Sequence, residues 1–257
     1  MDLLKFTLSG RSAFFKKPEL NSVYYFSYGC IHRVALLGML GGIIGCEGYS
    51  QMKKIPASKK NREEEDIYPE FYRELSALKI SIVPRNEKGL ISKKIQYFNN
   101  SIGYASKEQG GNLIIKEQWL ESPIWDIYIQ LNSNISLKIA DYILSNKCVY
   151  IPYLGKNDHF ADISNMKRTY GKAKEDNIKR IDSLFKRDAA SFSSVFDIDD
   201  EEDNDVELAY KYEESLPIRL SESTNLYEME RCVFGNMAIQ SYEEELLEAD
   251  GKILAFL

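Results

Sequence analysis

Histidine is scarce in this 257-residue chain: His32 and His159 are the whole supply. A zinc centre built from imidazole clusters is therefore excluded for want of ligands. Four cysteines, Cys30, Cys46, Cys148 and Cys232, form no Cys-x-x-Cys pair. That removes both a zinc ribbon and a disulfide framework, and it points to a reducing cytoplasm. Long hydrophobic runs are missing too. The apolar segment between Arg33 and Glu47 is too short for a bilayer, which needs about 17 to 25 residues. No basic region, apolar stretch and cleavage site stand in series at the start, so neither a signal peptide nor a membrane partner is expected. Carboxylates lie in charge runs rather than isolated among apolar residues, which gives no sign of a metal nuclease or of any cofactor.

What the chain does have is charge sorted by region. Its net charge is −6, yet Asp197, Asp199, Asp200, Glu201, Glu202, Asp203, Asp205 and Glu207 form one acidic run. Without that run the chain is net positive. Residues 1–62 hold ten Lys/Arg against three acids, and a second basic stretch runs from Lys167 to Arg187. Such segregation lets a polyanion dock on the basic part while the acidic loop stays clear.

Gly38, Gly41, Gly42 and Gly45 recur three and four residues apart inside Arg33–Gly45. On a helix they share one face. Each costs helix stability, about 1 kcal/mol against alanine, so the spacing predicts a helix lying almost against a sheet. No Gly-Lys-Ser/Thr follows and no Gly-x-Gly-x-x-Gly is present, so neither phosphate-loop nor dinucleotide chemistry is signalled. Arg33, at the first turn, is the expected cation for a phosphate backbone.

Alternation predicts strands at 3–9, 77–83 and 125–131, and a hairpin from 94–98 and 112–116 about Gly110-Gly111. Helical spacing at 136–146 is expected to be capped by Ser136, and Ser27 or a neighbour to open the glycine helix. The order strand, helix, strand, hairpin, strand, helix predicts an α+β, ferredoxin-like module with additions. Apolar pieces near 206–220, 231–239 and 253–257 return strands to its core.

Four segments, in order, resemble the Cas-five subunit family of type I Cascade complexes, within the RAMP superfamily. They are Gly10-Arg11-Ser12-Ala13-Phe14-Phe15-Lys16-Lys17-Pro18, the glycine helix read as Arg-x-x-Leu-Leu-Gly-x-Leu-Gly-x-x-x-Gly, the strand Glu121-Ser122-Pro123-Ile124-Trp125-Asp126-Ile127-Tyr128-Ile129, and the turn Tyr150-Ile151-Pro152-Tyr153-Leu154-Gly155-Lys156. The type I-B branch is the best match. The resemblance covers roughly the first 165 residues. It implies an RRM-like domain (1–165) with a β-hairpin thumb at about 93–118, followed by a C-terminal extension (166–257) carrying the acidic loop (197–207). It further implies a cytoplasmic, antiviral ribonucleoprotein subunit that caps the 5′ handle of a CRISPR RNA. Its partners would be the Cascade large subunit and a backbone subunit, with target DNA near the PAM as a further contact.

Arg and Lys neutralise phosphates, and exposed aromatics stack splayed bases. On that basis the RNA-binding residues are Arg11, Phe14, Lys16, Lys17, His32, Arg33, Lys93, Lys94, Tyr153 and Lys156. Of Phe14 and Phe15, one is expected in the core and the other free to stack. Some relatives cut precursor RNA without metal, which needs a base for the 2′-OH and an acid for the leaving oxygen. With His32 and His159 as the only imidazoles, the expectation is a non-catalytic subunit, with repeat-cleaving endoribonuclease as the alternative.

Overall fold

The computed structural model of the chain describes residues 1–18, 24–53, 67–99, 107, 109, 114–175, 178–192 and 208–257. The acidic run and the hairpin tip at Gly110-Gly111 lie outside the described residues. The chain begins with β1 (Asp2–Ser9), the short β2 (Ser12–Ala13) and β3 (Tyr24–Tyr25), α1 (Arg33–Ile44), α2 (Glu70–Leu75) and β4 (Ile80–Pro84). Next come β5 (Lys93–Asn99), β6 (Ile114–Glu121), β7 (Ile124–Gln130), α3 (Asn134–Leu144) and β8 (Asp162–Tyr170). Short strands β9 (Lys172–Ala173), β10 (Phe185–Lys186) and β11 (Ala190–Phe192) lead to the long pair β12 (Lys211–Leu220) and β13 (Tyr227–Gly235). The last strands are β14 (Ile239–Tyr242), β15 (Leu246–Ala249) and β16 (Lys252–Ala255). The result is a mixed α/β protein of mostly antiparallel sheets with few helices.

At its centre is a four-stranded antiparallel sheet, ordered β4-β7-β1-β8. Alternation along β1 sends Leu4, Phe6 and Leu8 to one face, where Trp125, Ile127 and Ile129 of β7 and the apolar side of α1 join them. Each such side chain contributes about 1.5–3 kcal/mol on burial. Leu3, Val83 and Tyr128 point to the opposite face and are covered by Leu247, Leu254 and Phe256 around the β15–β16 hairpin. Along β4, β7 and β1 the sheet is buried on both sides, whereas the edge strand β8 is largely exposed.

The C-terminal third enters the same core. Leu216, Ile218 and Leu220 of β12 and the terminal Leu257 pack in one cluster with Leu4 and Leu36. Residue 165, the expected domain boundary, falls inside β8, which pairs with β1. The basic stretch after Lys167 is built into β8–β10, with Lys167 bonded to Asp250 (2.9 Å) and Lys186 to Glu244 (2.6 Å).

Helix α1 forms despite its glycines because apolar side chains on most of its circumference are buried. His32, not Ser27, caps it: the Ala35 N–H donates to His32 Nδ1 (3.2 Å). Gly45, at φ +87°, turns the chain out in the left-handed conformation that glycine tolerates. The expectation that the glycine face rests on a sheet is corrected. Gly41 makes the tightest approach of the four, and it faces a helix: a Cβ built there would stand 2.6 Å from Phe71 Cβ of α2, while one on Gly45 would stand 3.0 Å from Val149 of the loop after α3. Gly38 and Gly42 open on a groove. Likewise α3 is capped by Ser133, with Ser136, the third residue of the helix, as its partner in a capping box. Helix α2, too short to leave a periodic signal, was not anticipated.

Candidate nucleic-acid interface

A groove of about 860 Å³ runs along the outer side of α1. Its floor includes Ala35, Gly38 and Gly42, and its walls come from three loops. One is the segment after β2, with Phe14, Phe15 and Lys16. A second is the turn after α1, with Tyr49. The third is the turn 150–155, hung over the end of α1 by Val149 N–H to Ile43 O (2.8 Å) and Tyr150 N–H to Gly42 O (3.2 Å). Gly155, at φ +85°, lets that turn close on the first loop. A Cβ there would fall 2.1 Å from Phe14 O, so no other residue fits. Tyr227, at the start of β13, completes the wall.

Of the ten residues expected at an RNA site, the groove gathers four: Phe14, Lys16, His32 and Tyr153. Tyr153 is 47% exposed and presents its ring at the rim. Lys16 is exposed over the Tyr25 ring (4.0 Å) and, among the described residues, has no acidic partner. His32 is 3% exposed, and burial lowers its pKa to about 3, so the ring is neutral. Phe14 is 5% exposed and serves as wall rather than as a free stacking face. Both phenylalanines therefore pack inward, and Phe15 sits edge-on to His32 and Trp125.

Arg33 overturns an expectation. Its guanidinium turns into the protein, donating from Nη1 to Ile218 O (3.0 Å) and from Nη2 to Ser76 O (2.5 Å) and Leu78 O (3.0 Å). It is 9% exposed, and it ties α1 to β12 and to the segment before β4. Those carbonyls take the bonds a phosphate would have received. Lys17 is likewise occupied: its ammonium meets Glu214 Oε1 at 2.5 Å, while Glu214 Oε2 accepts from the Gly29 N–H (2.7 Å).

The remaining four stand beside the groove or on the hairpin. Arg11 is exposed and makes no ion pair among the described residues. Lys93 and Lys94 project from β5: Lys93 has no acidic partner among the described residues, whereas Lys94 lies 3.6 Å from Glu121 and over the Trp119 ring. Lys156 is held by the buried Glu117 (3.2 Å) and stacks on Phe98. On the other face of the hairpin, Lys116 lies between the rings of Tyr24 (4.8 Å) and Tyr97 (5.5 Å), across three adjacent strands. This ladder of cation and rings continues the aromatic and basic character of the groove.

Sequence reasoning missed Tyr49, Tyr150, Tyr227 and the open Gly38 and Gly42. Tyr150 stood inside a motif already singled out, next to Tyr153, and it is 62% exposed. Tyr227 carried no signal, since 194 residues separate it from Arg33 in the chain while the fold sets it edge-on to His32 (5.4 Å). His159 lies outside the groove, buried under Trp119 with its Nδ1 on Ser12 Oγ (2.7 Å), and desolvation lowers its pKa. Among the described residues no cluster of three His, Cys, Asp or Glu side chains is arranged to hold a metal ion, and no helix is long and apolar enough to cross a membrane.

No protein-family model matches the chain, and none of the curated proteins matches it. Solved structures do. A chain of a CRISPR RNA-guided surveillance complex is similar over 92% of this chain and 91% of its own, at 11% identity and a TM-score of 0.50. A CRISPR protein from Archaeoglobus fulgidus is similar over 99% and 98%, at 10% identity and a TM-score of 0.46. A chain of a type III-B Cmr-beta complex bound to cognate target RNA is similar over 93% and 86%, at 12% identity and a TM-score of 0.45. The groove thus sits on a fold that this chain shares, nearly end to end, with a component of a CRISPR RNA-guided surveillance complex.

Proposed function

We propose that the protein is a non-catalytic RNA-binding subunit of a CRISPR ribonucleoprotein, a Cas-five-like member of the RAMP superfamily that grips the 5′ handle of the guide. The order β4-β7-β1-β8, with α1 and α3 after its first and third strands, agrees with the ferredoxin-like arrangement expected of that superfamily. One observation carries the functional reading: a groove walled by exposed tyrosines, with Lys16 at its edge and Arg11 and Lys93 in the adjoining segments, none of the three with an acidic partner among the described residues. Cations track a phosphate backbone without reading it, and rings stack its unpaired bases. Both faces of β4, β7 and β1 are covered, so a strand of RNA would run along the α1 side rather than across these strands as in an RRM. The large and backbone subunits of a type I Cascade, most similar to the I-B branch, are the partners this reading implies.

The same geometry disfavours repeat cleavage. His32 is neutral and its Nδ1 is engaged by the Ala35 N–H, and His159 is buried against Ser12 and Trp119. Neither ring is set up to exchange protons with a 2′-OH near neutral pH. The test is to purify the protein with its assembled complex, sequence the RNA that comes with it, and incubate the free protein with metal-free repeat RNA. The expected result is a retained guide with a defined 5′ end and an intact repeat. Guide retention should fall when Lys16 and Arg11 are both changed to Glu. Cleavage of the repeat, or full retention by the double variant, overturns the proposal.

A further inference from the structure

We infer that the groove seats an unstacked nucleobase of the bound strand on the Gly38–Gly42 face of α1, where His32 Nε2–H donates to an acceptor on its edge. This deepens the RNA-binding reading and rests on it.

Two independent observations converge on that slot. The first is that the fold does not need glycine at these positions. A Cβ built on Gly42 meets nothing within 4 Å, and one on Gly38 meets only the Phe71 ring at 3.8 Å. Alanine would be the better helix former at both. Gly41 and Gly45 on the same helix are required, one by Phe71 and the other by its positive φ. Bare backbone on the groove side leaves room for a flat group to lie against the helix, as no side chain would.

The second is a hydrogen-bond donor at the groove surface. His32 is 3% exposed and lines the groove. Its Nδ1 accepts the Ala35 N–H, so the neutral ring carries its proton on Nε2. Nε2 does not belong to the buried side-chain atoms that lack a partner, so it meets the groove, where water or a ligand can accept its proton. A nucleobase carbonyl or ring nitrogen supplies such an acceptor, and its flat face suits the surrounding tyrosine rings. Among the described residues Glu47 is the one carboxylate in the lining, and it would repel phosphate from its end and favour a sugar-phosphate path past Lys16.

The experiment uses the full chain and a fluorescein-labelled, mixed-sequence decamer of single-stranded RNA, with a 4-thiouridine version for photocrosslinking. Gly42→Leu places a side chain in the slot from a position where a Cβ meets nothing within 4 Å. It is expected to keep or raise the melting temperature while weakening RNA binding at least tenfold. Crosslinks in the wild-type protein are expected on Tyr49, Tyr150 or Tyr153, and they give the answer even if the leucine variant fails to fold. Binding by Gly42→Leu within threefold of wild type, or crosslinks confined to the hairpin, overturns the slot and leaves RNA binding standing. A Gly42→Leu protein that keeps RNA but drops out of its protein assembly would make the groove a peptide site and also overturns it. If the wild-type protein binds no RNA, free or assembled, the slot and the RNA-binding reading fall together.

Discussion

At the scale of single residues, Arg33 and His32 are adjacent and do opposite things. Arg33 spends its charge inside the protein, on the carbonyls of Ser76, Leu78 and Ile218. Removing a buried donor strands each acceptor at about 1–3 kcal/mol. Arg33→Met is therefore expected to destabilise the protein by about 3 kcal/mol, lowering Tm by about 10 °C on the usual scaling for this size. Any loss of RNA in that variant should track unfolding, and calorimetry beside binding checks this. His32 responds to acid. Its folded-state pKa, about 3, lies below its ordinary value of 6.5, so unfolding takes up a proton at any pH between the two. Stability is then complete above about pH 6.5 and falls as the pH drops toward 3, by at most about 1.4 kcal/mol per pH unit from this group. His32→Ser keeps a capping oxygen and should lose that component. Denaturant melts of both proteins at pH 7 and pH 4.5 measure the difference, and equal pH slopes would refute it. The reason Arg33 misled is physical. A cation at the head of an apolar helix reads alike in sequence whether its partner is phosphate or a carbonyl brought in from residue 218.

Within elements, α1 separates glycines that serve packing from those that do not. Gly42→Ala is expected to raise stability by about 1 kcal/mol, since alanine favours helix and the space is open. Gly41→Ala should lower it, because its Cβ would fall 2.6 Å from Phe71 Cβ. A pair of thermal melts decides this, and the opposite order would refute the assignment of faces. In the sequence the four glycines were equivalent, differing only by position on one stripe. Which of them met α2 depended on a six-residue helix too short to be read in advance. The hairpin was legible in part: the arm expected at 94–98 lies within β5, whereas the second, expected at 112–116, runs from 114 to 121. If Arg11, Lys16 and Lys93 hold phosphates, changing all three to Gln should flatten the salt dependence of RNA binding. The expected change in log–log slope is about 2, near 0.7 per single-strand phosphate. An unchanged slope assigns the contacts elsewhere.

For the whole molecule, one core joins the two ends of the chain. Leu4, Leu36, Leu216 and Leu257 share a cluster, and the β15–β16 hairpin covers Leu3, Val83 and Tyr128 on the far face of the central sheet. A truncation ending at residue 243 uncovers that face and should abolish cooperative unfolding, whereas the full chain should melt in a single transition. A sharp melt for the truncated protein would refute this. Taken by itself, the sequence determined β1, β4, β5 and β7 and the helices α1 and α3, because these follow from local periodicity. Tertiary structure alone decided which cations remained free. Lys17 met Glu214 and Arg33 met Ile218 across more than 180 residues, while Lys16 lies over Tyr25 with no acid beside it among the described residues. Availability of a charge depends on which distant groups reach it first, and no pattern within a few residues carries that information.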